Sequence, residues 1–460
     1  VEEEIVTDNV NARELVLTML LEVIEEDKYS HTVLNNTLKK YQQLEKQERA
    51  FISHLFTGTV KRYLTLDYII NQFASLSVQK MKPLIRNLLR MSVYQIMYMD
   101  QVPVSAVCNE AVNLTKKRGF TKLSGFVNGV LRNIARGAEN IKYPDKKKDP
   151  SSYLEVIYSF PKWLVLELLK QYEFDTVETM LMASLKEKET TIRCNKNKIS
   201  PQDLKHLMEN EGITVTESEY LDYAFKIKGY DYLDKLNSFQ QGYFTIQDVS
   251  SMLVCEAAGI GNKDFVVDVC AAPGGKALHA AESAKKVSAR DLTEYKIKLI
   301  DENIIRLGFT NVETKIWDAT KQDDEIIQLA DIVIADLPCS GLGVIGKKCD
   351  IKYKLTHNQH KELVELQRII INIAQNYVKE GGILLYSTCT VNKAENQENR
   401  DWFLRNYNFE ADSLDPYLPE QLKNDTTKEG YLQLLQGIHN TDGFFLSRFR
   451  KKSNEKSNEK

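Results

Sequence analysis

Residues 265–284 constrain this 460-residue chain most: the apolar run FVVDV breaks into CAAPGGK and resumes as ALHAAESA. The β-branched run predicts a buried strand, Pro273, Gly274 and Gly275 predict a tight turn, and the alanine-rich segment predicts a helix leaving it. Strand, small-residue turn and helix in that order open a parallel Rossmann-like sheet. Glycines let a ligand approach the backbone, and the helix start presents unpaired N–H groups to it. Apolar runs at 287–289, 331–335 and 383–387, separated by longer helical patterns, predict further strands. The turn is neither G-x-G-x-x-G nor G-x-x-x-x-G-K-[ST], so the dinucleotide and nucleoside-triphosphate fingerprints both fail and Lys276 is not a P-loop lysine. Asp291 follows the glycines by about twenty residues, where a carboxylate commonly accepts from ribose hydroxyls. Asp318, in KIWDAT, has the chemistry to accept from an adenine amine. Helix caps and turns explain both aspartates without a ligand.

Residues 12–135 read as helix after helix. Over 82–99, Leu84, Leu88, Leu89, Val93 and Ile96 recur at helical spacing, with Arg86 and Arg90 at polar positions. Glycine, two prolines, serines and clustered lysines in 137–154 disfavour a continuing helix and mark a boundary. Helical patterns at 162–171 and 202–211 flank a strand pattern at 191–195. The expected organisation is multidomain: an all-α bundle over 8–140, a linker over 141–155, a small α/β connecting domain over 156–238, an α/β Rossmann-like domain with a mostly parallel sheet over 239–450, and a disordered tail over 451–460 with no apolar residue to bury.

The net charge of −3, from 61 basic and 64 acidic residues, predicts no polyanion partner in bulk, but the charge is uneven. Residues 1–30 carry nine acidic and two basic side chains, whereas 31–140 carry sixteen basic and six acidic, with Lys116, Lys117, Arg118 and Lys122 around Gly119. That region is a solvated face or a contact for RNA or an acidic protein. The acidic start, VEEEIVTDN, and the lack of an eighteen-residue apolar run point to a cytoplasmic protein. Seven irregularly spaced cysteines fit a reducing compartment better than a disulfide framework, and no histidine spacing supports a metal site. Cys108, Cys194, Cys255 and Cys349 read as small buried hydrophobes, and Cys270 as a wall of the glycine turn. Cys339 in DLPCSG and Cys389 in STCTV each follow a predicted strand. In a parallel sheet both strand ends face one crevice, so the two residues can approach one another although they are 50 positions apart, and a thiolate nucleophile becomes feasible.

Jointly, CAAPGGK, DLPCSG and STCTV closely resemble the motifs of the bacterial Sun/Nop2 family of S-adenosylmethionine-dependent RNA cytosine-C5 methyltransferases that carry a NusB-like helical domain, and the resemblance spans nearly the whole chain. It implies an RNA-binding bundle, 16S rRNA as substrate and S-adenosyl-L-methionine as cofactor. It further implies Cys389 as nucleophile toward cytosine C6, Cys339 assisting C5-proton loss or product release, and Asp336 as the acid near both the cytosine ring and the cofactor. Cofactor contacts are implied for Cys270, Ala271, Ala272, Pro273, Gly274, Gly275 and Lys276, with Asp291 toward ribose, Asp318 toward adenine, and Lys296 where relatives often carry arginine. Glu395 and Asn396 match an acid–amide pair. Arg193 and Asn195 match a strand near the RNA entrance, although a cross-strand or surface contact explains them equally. The chain departs from the family at DLPCSG, against the commoner DAPCSG, and at GKKCDIKY, against an RRxPDxxW-like segment, where Lys347, Lys348 and Lys352 keep positive charge. A stacked, paired base cannot reach such a pocket, so the target is an unpaired or flipped cytosine. A monomer acting on free 16S rRNA or an early small-subunit intermediate, without a membrane, is expected. Two alternatives stay open: a non-catalytic RNA-binding antitermination or ribosome-assembly protein, and a C5 methyltransferase for another RNA.

Overall fold

The computed structural model describes residues 11–453 and forms two compact units: the chain up to Lys186 together with Ile345–Lys354, and Glu187–Val344 together with the chain from Leu355. The first unit is all-α. Helices Ala12–Ile24, Lys46–Lys61, Tyr63–Phe73, Pro83–Tyr98, Val104–Lys117 and Ser124–Gly137 surround a core containing Leu17, Leu55, Ile69, Leu88, Leu89 and Leu131. Pro83 opens its helix at a position whose N–H has no intrahelical partner to lose. Arg90 departs from the sequence expectation. It is buried, forks onto Asp67 with two bonds of 2.7 Å and lies over the Tyr63 ring, so paired hydrogen bonds rather than solvent stabilise its charge.

A helix, Pro150–Tyr158, occupies part of the expected linker, because Asp149 accepts from Ser152 N at 3.0 Å and Pro150 again sits in the first turn. With Lys162–Gln171 and Phe174–Leu185 it belongs to the first compact unit, which runs to Lys186. Residues Ile345–Lys354 pack there as well. The Asp350 carboxylate accepts from the backbone N–H and the hydroxyl of Ser30, capping helix Ser30–Lys40. Lys352 is fully buried, donates to the carbonyls of Lys61 (2.9 Å) and Tyr158 (3.3 Å) and faces the Phe160 ring at 4.3 Å. Burial holds its ammonium pKa well below the usual lysine range. Lys352 is therefore no surface charge, contrary to expectation, whereas Lys347 and Lys348 are exposed.

The second unit holds two sheets. Strands β1 (Thr190–Cys194), β2 (Thr214–Glu217), β3 (Ala224–Lys228) and β4 (Phe244–Ile246) form an antiparallel sheet in the order β2-β3-β1-β4. Strands β5 (Phe265–Asp268), β6 (Lys286–Asp291), β7 (Val312–Ile316), β8 (Ala330–Asp336), β9 (Val378–Thr388), β10 (Phe409–Ala411), β11 (Tyr431–Leu434) and β12 (Phe444–Lys451) form the large one, ordered β10-β12-β9-β8-β5-β6-β7 with β11 on β12. Its β5 to β9 pairings are parallel and those of β12 antiparallel. Val266 and Val267 enter different cores, one shared with helices Val249–Ala258 and Glu294–Leu307, the other with His357–Ala374 and Gln397–Asn406. Covered faces on both sides explain the unbroken apolar runs of the central strands. Lys451 closes β12 by pairing with Phe409, so the expected tail begins one residue inside a strand; residues 454–460 lie outside the described part. Among the described residues no helix is long and apolar enough to cross a membrane, and no group of His, Cys, Asp and Glu forms a candidate metal site.

Candidate active site

The glycine turn leaves the carboxyl end of β5. Gly274 has φ +103°, a conformation strained for any side chain. Asp291, at the end of neighbouring β6, clamps the turn: Oδ2 accepts from Ala272 N at 2.9 Å, while Oδ1 accepts from Leu292 N (2.7 Å) and Lys296 Nζ (2.9 Å). Asp268 is buried beneath. Its Oδ1 accepts a 3.3 Å bond from Cys270 N, and its Oδ2 has no partner among the described residues. Burial, with the charge of Asp336 adding to it, pushes the Asp268 carboxyl up to about 7. An orphaned acceptor beside a turn that no side chain fills fits a bound polar ligand such as a nucleoside. Cys270 is partly exposed, and burial followed by the charges of Asp268 and Asp291 drives its thiol pKa up, so it is an unreactive wall. Asp318, beyond β7, closes its own turn through Thr320 N (3.0 Å) and Thr320 Oγ1 (2.7 Å), with Oδ2 3.8 Å from Lys321 Nζ.

Lys276 points elsewhere than the turn that precedes it. Its ammonium is 2.6 Å from Asp336 Oδ2 and faces the Phe444 ring at 5.4 Å. Burial alone would lower its pKa, but the charge and hydrogen bond of Asp336, with Asp268 and Cys389 adding, carry it above the ordinary value. Asp336 Oδ1 accepts from Ser387 Oγ at 2.7 Å, across the β8–β9 register that pairs these two residues. Just past those strand ends the Cys339 and Cys389 sulfurs lie 3.3 Å apart, both partly exposed. The hydrogen bond to Cys389 is the main cause that raises the Cys339 thiol pKa well above the usual range; burial, the Cys389 charge and Glu395 follow. Burial and the neighbouring sulfur therefore favour the protonated form of Cys339.

Glu395 and Asn396 are both fully buried; Glu395 ties the Cys339 loop to the segment after Cys389, and Asn396 braces the Cys389 loop itself. Glu395 accepts from the Ser340 hydroxyl, from Ser340 N (2.9 Å) and from Gln367 Nε2 (2.9 Å), and Gln367 also donates to Pro338 O at 3.0 Å. Asn396 accepts from Thr388 Oγ1 (2.6 Å) and donates to Thr390 O (3.0 Å). Gly343 N donates to Cys389 O at 3.0 Å, and a Cβ on Gly343 would fall 1.8 Å from Gly443 O, so only glycine fits against the backbone that precedes β12. Ser340, Thr390, Gln367 and Gly343 escape sequence reasoning: Ser340 and Thr390 stand inside the recognised motifs, but nothing local marks Gln367 in mid-helix. Arg193 and Asn195 are buried rather than on an entrance surface. Arg193 Nη1 donates to Gln247 Oε1 (2.8 Å) and Gly275 O (3.0 Å), and Asn195 Nδ2 donates to Gly242 O and Leu307 O, each at 3.0 Å.

Three family models match this chain: 16S rRNA methyltransferase RsmB/F over residues 258–450, the NusB family over 10–136, and the RsmF/B-like ferredoxin-like domain over 160–231. The probable ribosomal RNA small subunit methyltransferase B of Bacillus subtilis is 37% identical over 96% of this chain and 99% of its own length. Its namesake in Synechocystis is 31% identical over 96% and 100%. The crystal structure of PH0851 superposes with a TM-score of 0.79 at 25% identity, covering 96% of this chain and 99% of that one. A methyltransferase homolog protein from Pyrococcus horikoshii, 24% identical, shares the fold over 65% of this chain and 97% of its own at a TM-score of 0.55. With identity and coverage of this extent on a sheet whose paired strand ends carry both cysteine motifs, the chain belongs to the RsmB/F family of ribosomal RNA small subunit methyltransferases.

Proposed function

We propose that this chain transfers a methyl group from S-adenosyl-L-methionine to C5 of an unpaired cytosine in 16S rRNA, with Cys389 as nucleophile. The observation that carries the reading is the 3.3 Å pair of thiols beside the Lys276–Asp336–Ser387 cluster. C5 of cytosine is a poor nucleophile and becomes one only after addition at C6. The thiolate is assigned to Cys389, and the raised pKa of the Cys339 thiol supports that assignment. Asp336, held from both sides, presents a carboxylate to the N3/N4 edge of the base, and Lys276 adds a fixed positive charge near the developing negative charge.

Attack by Cys389 forms the S–C6 bond and moves the C5–C6 π pair toward C5. When bound, S-adenosyl-L-methionine supplies an electrophilic methyl group for that carbon. The turn 270–275, Asp291, Lys296 and Asp318 are the residues assigned to hold it, with the free oxygen of Asp268 as a further acceptor. Release needs the C5 proton to leave, its C–H pair to re-form C5=C6, and the S–C6 pair to return to Cys389. Once Cys389 is a neutral thioether, its hydrogen bond and charge no longer hold the Cys339 pKa up; Cys339 then gives its own proton to solvent, and the thiolate so formed, directly or through a water, takes the C5 proton. The helical unit, with Lys39, Lys40, Lys80, Lys82, Lys116, Lys122, Arg132 and Arg136 exposed, is assigned to hold the RNA backbone. We take the working form to be a cytoplasmic monomer acting on free 16S rRNA or an early small-subunit intermediate.

Cys389→Ala tests the reading. It retains binding of S-adenosylhomocysteine but forms no 5-methylcytosine on 16S rRNA by nucleoside mass spectrometry. Normal methylation by this variant would reject Cys389 as nucleophile, and 4-methylcytosine from the unaltered chain would reject the C5 chemistry.

A further inference from the structure

We propose that Arg193 is a positioning residue for the methyl donor: from the small antiparallel sheet it grips the carbonyl of Gly275 and so sets the orientation of the glycine turn. This rests on the methyl-donor reading of that turn. Arg193 stands on β1 and is 1% exposed, yet its guanidinium serves no strand partner. Nη1 bridges Gln247 Oε1 at 2.8 Å and Gly275 O at 3.0 Å, and Nε lies 3.2 Å from Glu282 Oε1. Glu282 follows the end of helix Gly275–Ala280, so one guanidinium hydrogen-bonds the start of the segment and faces a carboxylate charge at its end.

A second side chain supports the same segment. Cys255, on helix Val249–Ala258, donates to Lys276 O at 3.3 Å. Two successive carbonyls, of Gly275 and Lys276, are thus held by buried groups. These fix the peptide plane between a residue that lets a ligand approach and the lysine that grips Asp336. Glycine supplies no side chain to resist rotation of that plane, so beyond the backbone ladder of its short helix the added restraint comes from Arg193. A charge-assisted bond in a water-free setting is strong and directional enough for this task. A role limited to balancing Glu282 would not need the guanidinium to reach Gly275.

Arg193→Lys keeps the charge opposite Glu282 but lacks the planar fork. Losing one hydrogen bond from a charged group weakens S-adenosylhomocysteine binding about tenfold by calorimetry and raises the methyl-donor KM by the same factor, leaving the RNA KM within about twofold. Asn195→Ala is the control. It lies one residue beyond the same strand, is equally buried and touches no part of the turn, so it lowers the melting temperature without changing S-adenosylhomocysteine affinity. Wild-type affinity in Arg193→Lys, or equal loss in both variants, would overturn the proposal. If Arg193→Lys does not fold, Gln247→Ala, which removes the second anchor of Nη1, weakens the same binding about threefold, less than loss of the direct bond because Gln247 acts only through Arg193, and no change there would be equally fatal. An unaltered chain that binds no S-adenosylhomocysteine would sink the methyl-donor reading itself, before any variant is compared.

Discussion

Cys339→Ala separates the two thiols most sharply. The substitution removes the sulfur 3.3 Å from Cys389 and with it two contributions of unequal size. The first is a hydrogen bond to the attacking thiolate. Cys389 is partly exposed, so water replaces much of that bond, and adduct formation slows by about tenfold at most, the low end for a bond to a charged group. The second is removal of the C5 proton. A positioned base is worth about 10²- to 10⁴-fold, roughly 3 to 5 kcal/mol on the release barrier at 1.36 kcal/mol per decade. Release therefore slows more than formation, and the covalent species accumulates. With labelled 16S rRNA and S-adenosyl-L-methionine present, a denaturing gel should show an RNA-linked protein approaching one per chain, with turnover down by about 100-fold or more. The Cys339→Ala/Cys389→Ala double variant should show none. Turnover within about threefold of the parent, or no retarded species, would remove Cys339 from the proton route, because no general-base contribution is that small.

Three further outcomes follow from individual contacts. Asp268 titrates near 7 in the fold against about 4 in the unfolded chain, so between those values folding keeps a proton that the unfolded chain releases. Stability of the ligand-free chain then falls as pH rises from about 4 to about 7, by up to about 4 kcal/mol; urea melts at pH 5 and pH 8 read this, and Asp268→Asn should flatten the slope. Asp350→Ala uncaps helix Ser30–Lys40 and leaves Ser30 N unpaired, costing about 1–2 kcal/mol, whereas Asp350→Asn should recover most of the loss, since asparagine also accepts at a helix start; equal melts for the two variants would discount the cap. Lys116→Ala and Lys122→Ala should each reduce the salt slope of 16S rRNA binding by roughly 0.7–0.9 if each neutralises one phosphate, and an unchanged slope would place RNA on another face.

Legibility differed by kind of feature. The parallel strands were visible because a strand buried on both faces must be apolar throughout, as Val266 and Val267 illustrate by entering separate cores. Helix Pro150–Tyr158 was missed because prolines and lysines were read as breakers, although Pro150 and Asp149 are the residues that start it. Arg90 and Lys352 were misplaced for a related reason: charge patterning presumes that a charge seeks water, and here a carboxylate fork and a cage of carbonyls and rings take its place. At the site, both cysteines, Asp336 and the glycine turn stand in short contiguous motifs. Gln367 and Arg193, which hold those motifs from behind, carry no local signature because their partners lie 28 and 82 residues away.

Sequence by itself marked the residues proposed to carry chemistry, because turn formation, strand burial and thiol reactivity depend on neighbours within a few positions. It also placed Cys339 and Cys389 at strand ends and so predicted that they meet. Only the tertiary structure decided how the meeting is arranged. The distance between the sulfurs, the turning of Lys276 toward Asp336, and the bracing of Gly275 by Arg193 from another sheet all arise from long-range packing. Electrostatic and hydrogen-bond energies depend on separations of a few ångströms and on exclusion of water, and no one-dimensional pattern encodes either when the partners are tens or hundreds of residues apart.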